Sequence, residues 1–269
     1  MRIGWLSTGR DQAACNLLGD IVARAQDDGT PLDIATVFCN REPGESPESD
    51  RFLELAGKLG IPAVTLSSSL SWAAAKEAGV DRAVWRDHYH RDVIDLLSPL
   101  GFGVLVMAGY MLVASPAMCR RHALLNLHPA LPGGPTGTWQ EVIWRLLEEE
   151  AAETGAMMHL ATAELDRGPV IAYFRLPLTG TTWDPLWEQF REKRATQNVA
   201  EIAAAEGEDE PLFAEIRRWG EVREIPLLYQ TLQQFSEGHL NTSCGAVFAE
   251  AVRLPLDLTD LVEAEVARR

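Results

Sequence analysis

The sequence predicts an α/β protein with a doubly wound, mostly parallel sheet, and three observations carry that reading. From the first residues, short apolar runs suited to strands alternate with helical stretches, the pattern of successive βαβ units. Gly103 to Ala108 is a continuous apolar run bounded by glycine, as in a central strand buried on both faces. The turn Ser7-Thr8-Gly9-Arg10-Asp11 joins the first strand to the first helix, where open α/β sheets place anionic ligands. At 269 residues, 46% of them hydrophobic, the chain is long enough to bury a substantial core.

The elements follow in order. Ile3 to Ser7 reads as a strand and Ala13 to Ala25 as a helix; Leu32 to Cys39 and Ser49 to Leu59 repeat the pair, and Ala63 to Leu66 adds a third strand. Asp81 to Leu97 carries apolar residues near helical spacing. Ser115-Pro116 opens a short helix by the cap-then-proline arrangement, and Ala123 to Leu127 is the next strand, running into Asn126-Leu127-His128-Pro129. After the loop Leu131 to Pro135, Thr138 to Glu150 forms a helix. Two β-prone stretches, Ala156 to Thr162 and Pro169 to Leu178, flank the turn Glu164-Leu165-Asp166-Arg167-Gly168. Residues 183 to 220 change texture to Glu, Arg, Ala and Gln with an acidic break at Glu206 to Glu210, which predicts a helical insertion with charged exposed faces. A final helix is expected from Pro226 to Glu237. The predicted organisation is therefore a catalytic domain over 1–182, a helical insertion and final helix over 183–240, and a tail over 241–269, without internal repeats.

Composition excludes several functions. A formal net charge of −15 and a pI near 4.8 oppose a polyphosphate backbone, so a nucleic-acid partner is not expected. A small anion remains compatible, because a local cationic or N–H pocket outweighs a distant, screened field. The start of the chain breaks into glycine and charge too soon for a signal peptide or membrane span, which predicts a cytoplasmic protein without membrane partners. Cys15, Cys39, Cys119 and Cys244 show no paired spacing and read as reduced thiols. His88-Tyr89-His90 has an unhelpful spacing for a metal on a helix, and no metal is expected.

Asn126-Leu127-His128-Pro129-Ala130-Leu131-Pro132, followed by Thr154-Gly155-Ala156-Met157-Met158-His159 and then Asp166-Arg167-Gly168-Pro169, resembles the active-site elements of the folate-dependent formyltransferases. The resemblance covers about residues 1 to 180 and implies a Rossmann-like fold. It also implies transfer of a formyl group from 10-formyltetrahydrofolate to a small phosphorylated amine, with glycinamide ribonucleotide of purine synthesis as the expected acceptor. An amino-sugar nucleotide is the alternative acceptor, and a non-catalytic folate- or nucleotide-binding relative the alternative class. The residue types suit acyl transfer on their own terms. Attack on a formamide develops an oxyanion, an ammonium and a leaving nitrogen that needs a proton. Asn126 can donate to the oxyanion without titrating, and His128, two residues along a strand, faces the same side. Asp166 is assigned to hold His128 protonated and to relay protons. His159 also fits the family pattern and reads equally well as a core residue.

The resemblance further implies folate contacts from Arg86, from Met111, Leu112 and Val113, and from the loop Thr162, Ala163, Glu164 and Leu165. For the acceptor it implies the first loop, Thr8, Gly9, Arg10 and Asp11, with Glu221 on the ribose hydroxyls. That loop departs from the family's Ser-Gly-x-Gly-(Ser/Thr)-Asn run. It keeps one glycine and acquires an Arg-Asp pair, so Arg10 is expected to replace lost backbone donors, and Asp11 is tolerable only if it caps the helix or pairs with Arg10. A homodimer is compatible with the sequence.

Overall fold

The computed structural model describes residues 2–243, 245–249 and 253–268. The chain forms two compact units. One comprises Met1–Asn126, His159–Pro169 and Thr231–Arg253, the other Leu127–Met158, Val170–Gln230 and Leu254–Arg269.

In the first unit, β1 (Arg2–Ser7), β2 (Asp33–Cys39), β3 (Ala63–Thr65), β4 (Val104–Met107) and the start of β5 (Leu124–His128) run parallel in the order β5-β4-β1-β2-β3. The chain builds outward from β1 through β2 to β3, then crosses back to β4 on the other side of β1. The sheet is thus doubly wound, as the alternation of elements predicts, with its switch point between β1 and β4. Register places Leu6 opposite Phe38 on one side and Met107 on the other. Ile3, Trp5, Val104, Leu105 and Val106 are all buried, which is why β1 and β4 read as unbroken apolar runs. A Cβ at Gly4 would lie 2.2 Å from the Leu105 side chain, so a larger residue there would force that leucine to move.

Helices α1 (Gln12–Asp28), α2 (Pro47–Lys58), α3 (Ser68–Glu77), α4 (Arg82–Leu97) and α5 (Pro116–Arg121) connect these strands. Their ends follow local chemistry. Asp11 caps α1 by accepting from the Ala14 N–H, Asp81 caps α4 in the same way, and Ser115 precedes Pro116 at the start of α5. Helix α3 has no fully buried residue and no sequence periodicity that announces it. It is held by Trp72, whose ring lies 5.1 Å from that of Trp85, while Trp85 Nε1 donates to Ser71 Oγ at 2.9 Å. Trp85, Tyr89, Tyr110 and Phe38 belong to one buried cluster around α4. His90 sits buried among them, and His88 is exposed. The Ser115 N–H donates to His90 Nδ1 at 3.2 Å, so the neutral ring carries its proton on Nε2, 3.2 Å from the Tyr110 hydroxyl.

In the second unit, β7 (Val170–Pro177) lies between β6 (Glu153–Leu160) and β10 (Leu256–Asp257), the latter parallel to it. Four helices accompany them: α6 (Trp139–Glu148), opened by a Thr138/Glu141 capping box, α7 (Asp184–Arg194), α8 (Val199–Glu206) and α9 (Pro211–Ser236). Two expectations are corrected here. The separate helix from Pro226 does not exist: α9 runs through Pro226 without a break. Proline inside a helix costs about 3 kcal/mol, but Leu212, Phe213, Leu227 and Leu228 are all buried along α9 and outweigh it. The acidic break is not wholly a solvated face. Lys193 Nζ meets Glu206 at 2.6 Å and the buried Glu210 at 3.1 Å, and Glu210 accepts the Phe213 N–H at the start of α9.

The segment expected as a tail also has structure: a hairpin of β8 (Leu240–Ser243) and β9 (Ala246–Ala249) in the first unit, and β10 with α10 (Thr259–Val266) in the second. Arg223, buried in α9, grips Glu263 of α10 through two hydrogen bonds of 2.6 and 2.9 Å. Cys15, Cys39 and Cys119 are free thiols; Cys244 lies outside the described residues.

Burial holds both His90 and His122 neutral, with pKa values lowered to about 4; Arg86 and Arg121 respectively add to the effect. Since the unfolded chain titrates these groups near about 6.5, it binds protons first as pH falls. Stability should therefore be constant above that value from these groups and decline from about pH 6.5 toward pH 4. Urea unfolding across this range checks it, and His122→Gln should flatten part of the slope.

Candidate active site

The loops singled out in the sequence leave the carboxyl ends of β1 and β4, on either side of the switch point. Thr8 joins them. Its N–H donates to Gly109 O at 3.0 Å, and its hydroxyl accepts the Met111 N–H at 2.9 Å. Gly9 adopts φ 58°, and a Cβ there would meet Phe52 Cβ at 3.0 Å and Ser49 Cα at 3.1 Å, so the surviving glycine of this loop is the one the backbone needs. Asp11 does both things asked of it: it caps α1 and lies 3.5 Å from Arg10 Nε, with both side chains about half exposed.

Beyond Thr8, the β4 loop exposes Met111 (52%) and Val113 (44%) while Leu112 packs inward against the aromatic cluster. Leu165 is likewise exposed, at 57%, in the loop of Thr162 to Leu165, where the Thr162 hydroxyl donates to Glu164 O at 3.0 Å. Exposed apolar side chains of this kind suit a flat apolar or heteroaromatic partner better than water. Arg86, on α4, has a buried Nε that meets no hydrogen-bonding partner. A guanidinium left with an unused buried donor fits an anionic tail.

At the end of β5, Asn126 is joined to Asp166 through His159. Asn126 Nδ2 lies 3.1 Å from His159 Nε2, and the same nitrogen lies 3.6 Å from Asp166 Oδ1. His159 Nδ1 lies 3.1 Å from Leu160 O, a carbonyl that can only accept, so the neutral ring carries its proton on Nδ1 and Nε2 receives the Asn126 amide. This fixes which way the carboxamide points and leaves the second N–H of Nδ2 for another acceptor. His159, which sequence reasoning left between a site role and a core role, is 1% exposed. Asp166 occupies a left-handed conformation, φ 53°, a strained choice for a non-glycine residue that orients its carboxylate.

His128 belongs to the second unit and is 2% exposed. Its Nε2 donates to Pro135 O at 2.7 Å, which fixes the ring. It shares a face of β5 with Asn126 by the alternation of the strand. Glu221 also lies in the second unit, on α9, and pairs with Arg217 at 2.7 Å. Among the described residues no group of three or more His, Cys, Asp or Glu could hold a metal ion, and no helix is long and apolar enough to cross a membrane.

A family model described as formyl transferase matches residues 13–197, and the chain belongs to that family. Phosphoribosylglycinamide formyltransferase of Escherichia coli is 34% identical to it over 140 residues, 49% of this chain and 58% of that protein. The enzyme of the same name from Schizosaccharomyces pombe is 32% identical over 138 residues, 48% of this chain and 63% of that one. The matches thus span less than two thirds of these relatives. Among solved structures, glycinamide ribonucleotide transformylase 1 of Symbiobacterium toebii superposes with a TM-score of 0.56 at 21% identity, covering 93% of both chains. A formyltetrahydrofolate deformylase of Pseudomonas syringae gives 0.57 at 18%, covering 92% of this chain and 65% of that one. These likenesses establish the fold.

The Asp166 turn depends on Gly168, because a Cβ there would stand 1.7 Å from Leu160 O. Gly168→Ala should destabilise the protein by about 1–3 kcal/mol through overpacking. Thermal unfolding measures this, and an unchanged midpoint would show that the turn relaxes freely.

Proposed function

We propose that the protein transfers the formyl group of 10-formyltetrahydrofolate to the amine of glycinamide ribonucleotide. The observation that carries this reading is the cluster at the end of β5, where the Asn126 amide lies 3.1 Å from the buried His159 Nε2 and the Asp166 carboxylate stands 3.6 Å from the same nitrogen. An amide so placed donates to an oxyanion at no reorganisation cost. The names of the relatives support this choice of acceptor.

In the reaction, the acceptor nitrogen bonds to the formyl carbon and the carbonyl oxygen becomes an oxyanion, which receives the free N–H of Asn126. The attacking nitrogen, now an ammonium, gives up a proton as the bond from the formyl carbon to the donor nitrogen breaks, and that nitrogen gains one. His128 and Asp166 are assigned the proton traffic, His128 also donating to the oxyanion when protonated. The donor is assigned to Arg86, to Met111, Leu112 and Val113, and to Thr162, Ala163, Glu164 and Leu165. Exposed apolar side chains and an underused guanidinium support that assignment. The acceptor's phosphate is assigned to Thr8, Gly9 and Arg10, with Asp11 as the helix cap, and its ribose hydroxyls to Glu221. Capping and the contact with Arg10 occupy the Asp11 carboxylate, which lowers its opposition to an incoming anion.

A deformylase among the structural neighbours makes water the competing acceptor. Purified protein should consume 10-formyltetrahydrofolate in proportion to added glycinamide ribonucleotide, and His128→Ala and Asp166→Asn should each lower kcat by roughly a hundredfold or more. Equal donor consumption without any amine would replace this reading with hydrolysis. Activity only with an amino-sugar nucleotide would change the acceptor and keep the chemistry.

A further inference from the structure

A cavity of about 240 Å³ opens in the first unit at the amino ends of β4 and β5, the opposite end of the sheet from the loops of the candidate site. Gly103 and Ala123, which directly precede those strands, line it together with Ser98 at the end of α4, Arg121 and His122 at the end of α5, and Thr242 of β8. The β8–β9 hairpin is fastened against this end. The Thr242 hydroxyl donates to Gly103 O at 2.7 Å, and a Cβ on Gly245 would lie 3.1 Å from Arg120 O and 3.2 Å from Cys119 O.

The donors around this space are unused. His122 is 9% exposed, and neither ring nitrogen meets a hydrogen-bonding partner among the described residues, Nε2 being sealed from solvent. A buried N–H without an acceptor is rarer than an underused lone pair, so the neutral ring keeps its lone pair on Nε2 and carries its proton on Nδ1. Among the described residues the exposed Arg121 has no carboxylate partner and the Ser98 hydroxyl no partner at all, although acidic residues outnumber basic ones 39 to 24 in the chain. No Asp or Glu lines the cavity. At about 30 Å³ per water, a single ordered molecule does not fill it. The feature that opposes an anion is the carbonyl ends of the neighbouring helices, and these are engaged or covered: Arg2 Nη1 donates to Leu100 O, and Gly245 packs on the last carbonyls of α5.

We infer that this cavity is a second binding site, one for a small oxyanion held by the Arg121 guanidinium, the His122 ring N–H and the Ser98 hydroxyl, and that it is separate from the candidate active site. It owes nothing to the proposed reaction. A phosphate group suits it better than a carboxylate: its tetrahedral oxygens meet three donors arriving from different segments, and its second charge strengthens the bond to arginine. The Thr242 hydroxyl, its proton already given to Gly103, remains an acceptor for a hydroxyl elsewhere on a small phosphorylated ligand.

The test is an NMR titration of the full chain carrying carbon-13 in its histidine rings, with inorganic phosphate, acetate or chloride added at constant neutral pH and ionic strength. The His122 resonance, identified by its loss in His122→Gln, should shift saturably with phosphate, more weakly with acetate and not with chloride. Arg121→Met should raise the phosphate Kd by roughly tenfold or more and Ser98→Ala by about threefold, with Arg121→Lys between wild type and Arg121→Met. Because Arg121 is exposed, its variants should keep the wild-type melting temperature. Arg10→Met should leave the His122 response as in wild type, which separates this cavity from the first loop. No saturable shift at His122, an equal shift with chloride, or a phosphate Kd within twofold of wild type in both Arg121 variants would overturn the inference. Tighter binding of acetate than of phosphate would overturn the choice of phosphate.

Discussion

Thr8 is the joint on which the first unit's site is hung. Parallel strands deliver their carboxyl ends to one edge, but the loops that follow have no regular partners there. At the switch point a single residue supplies them: its backbone N–H binds the β4 loop at Gly109, and its hydroxyl takes the Met111 N–H. Two loops from strands separated by about a hundred residues of sequence are thereby held in one register. The turn that permits this is itself bound, since the Gly9 N–H donates to Ser7 Oγ at 3.2 Å and only glycine fits against Phe52.

The end of β5 applies the same economy to chemistry. The two ends of a carboxamide are nearly isosteric, so its orientation is set by its hydrogen-bonding partners. His159 settles the orientation because its own tautomer is settled by the Leu160 carbonyl. Asp166 closes the line from a left-handed turn held by the tight approach of Gly168 to Leu160. Strain and close packing there serve geometry at a position whose side chain does not contribute to the core.

In the second unit, ion clusters add to an apolar core that includes Leu147, Phe174, Phe190, Phe213 and Leu227. Lys193 gathers Glu206 and Glu210, Arg223 grips Glu263, and Arg217 spans Glu221 and Glu224 over Trp139. Each joins segments distant in sequence or fixes one side chain against another. Such clusters specify arrangement more than they add stability, since desolvation offsets much of the attraction. They also engage Arg217, Arg223 and Glu224 of α9 in contacts that its charged composition alone does not announce.

The sequence by itself determined the parallel α/β architecture, because unbroken apolar runs such as Val104 to Val106 have few other uses, and it determined the formyl transferase family through Asn126, His128 and Asp166 in order. It also singled out Thr8 to Asp11, since a glycine turn between strand and helix is a local signal. Tertiary structure alone decided the rest. Helix α3 exists because Trp72 finds Trp85, and α9 passes through Pro226 because its buried leucines outweigh a local penalty. That His159 stands between Asn126 and Asp166, and that Arg217 pairs with Glu221, follow from side chains meeting across the fold or along a helix whose extent packing set. Local signals are written in neighbouring residues; a hydrogen bond between residues 33 positions apart, as from Asn126 to His159, is decided only when the sheet brings them within 3.1 Å.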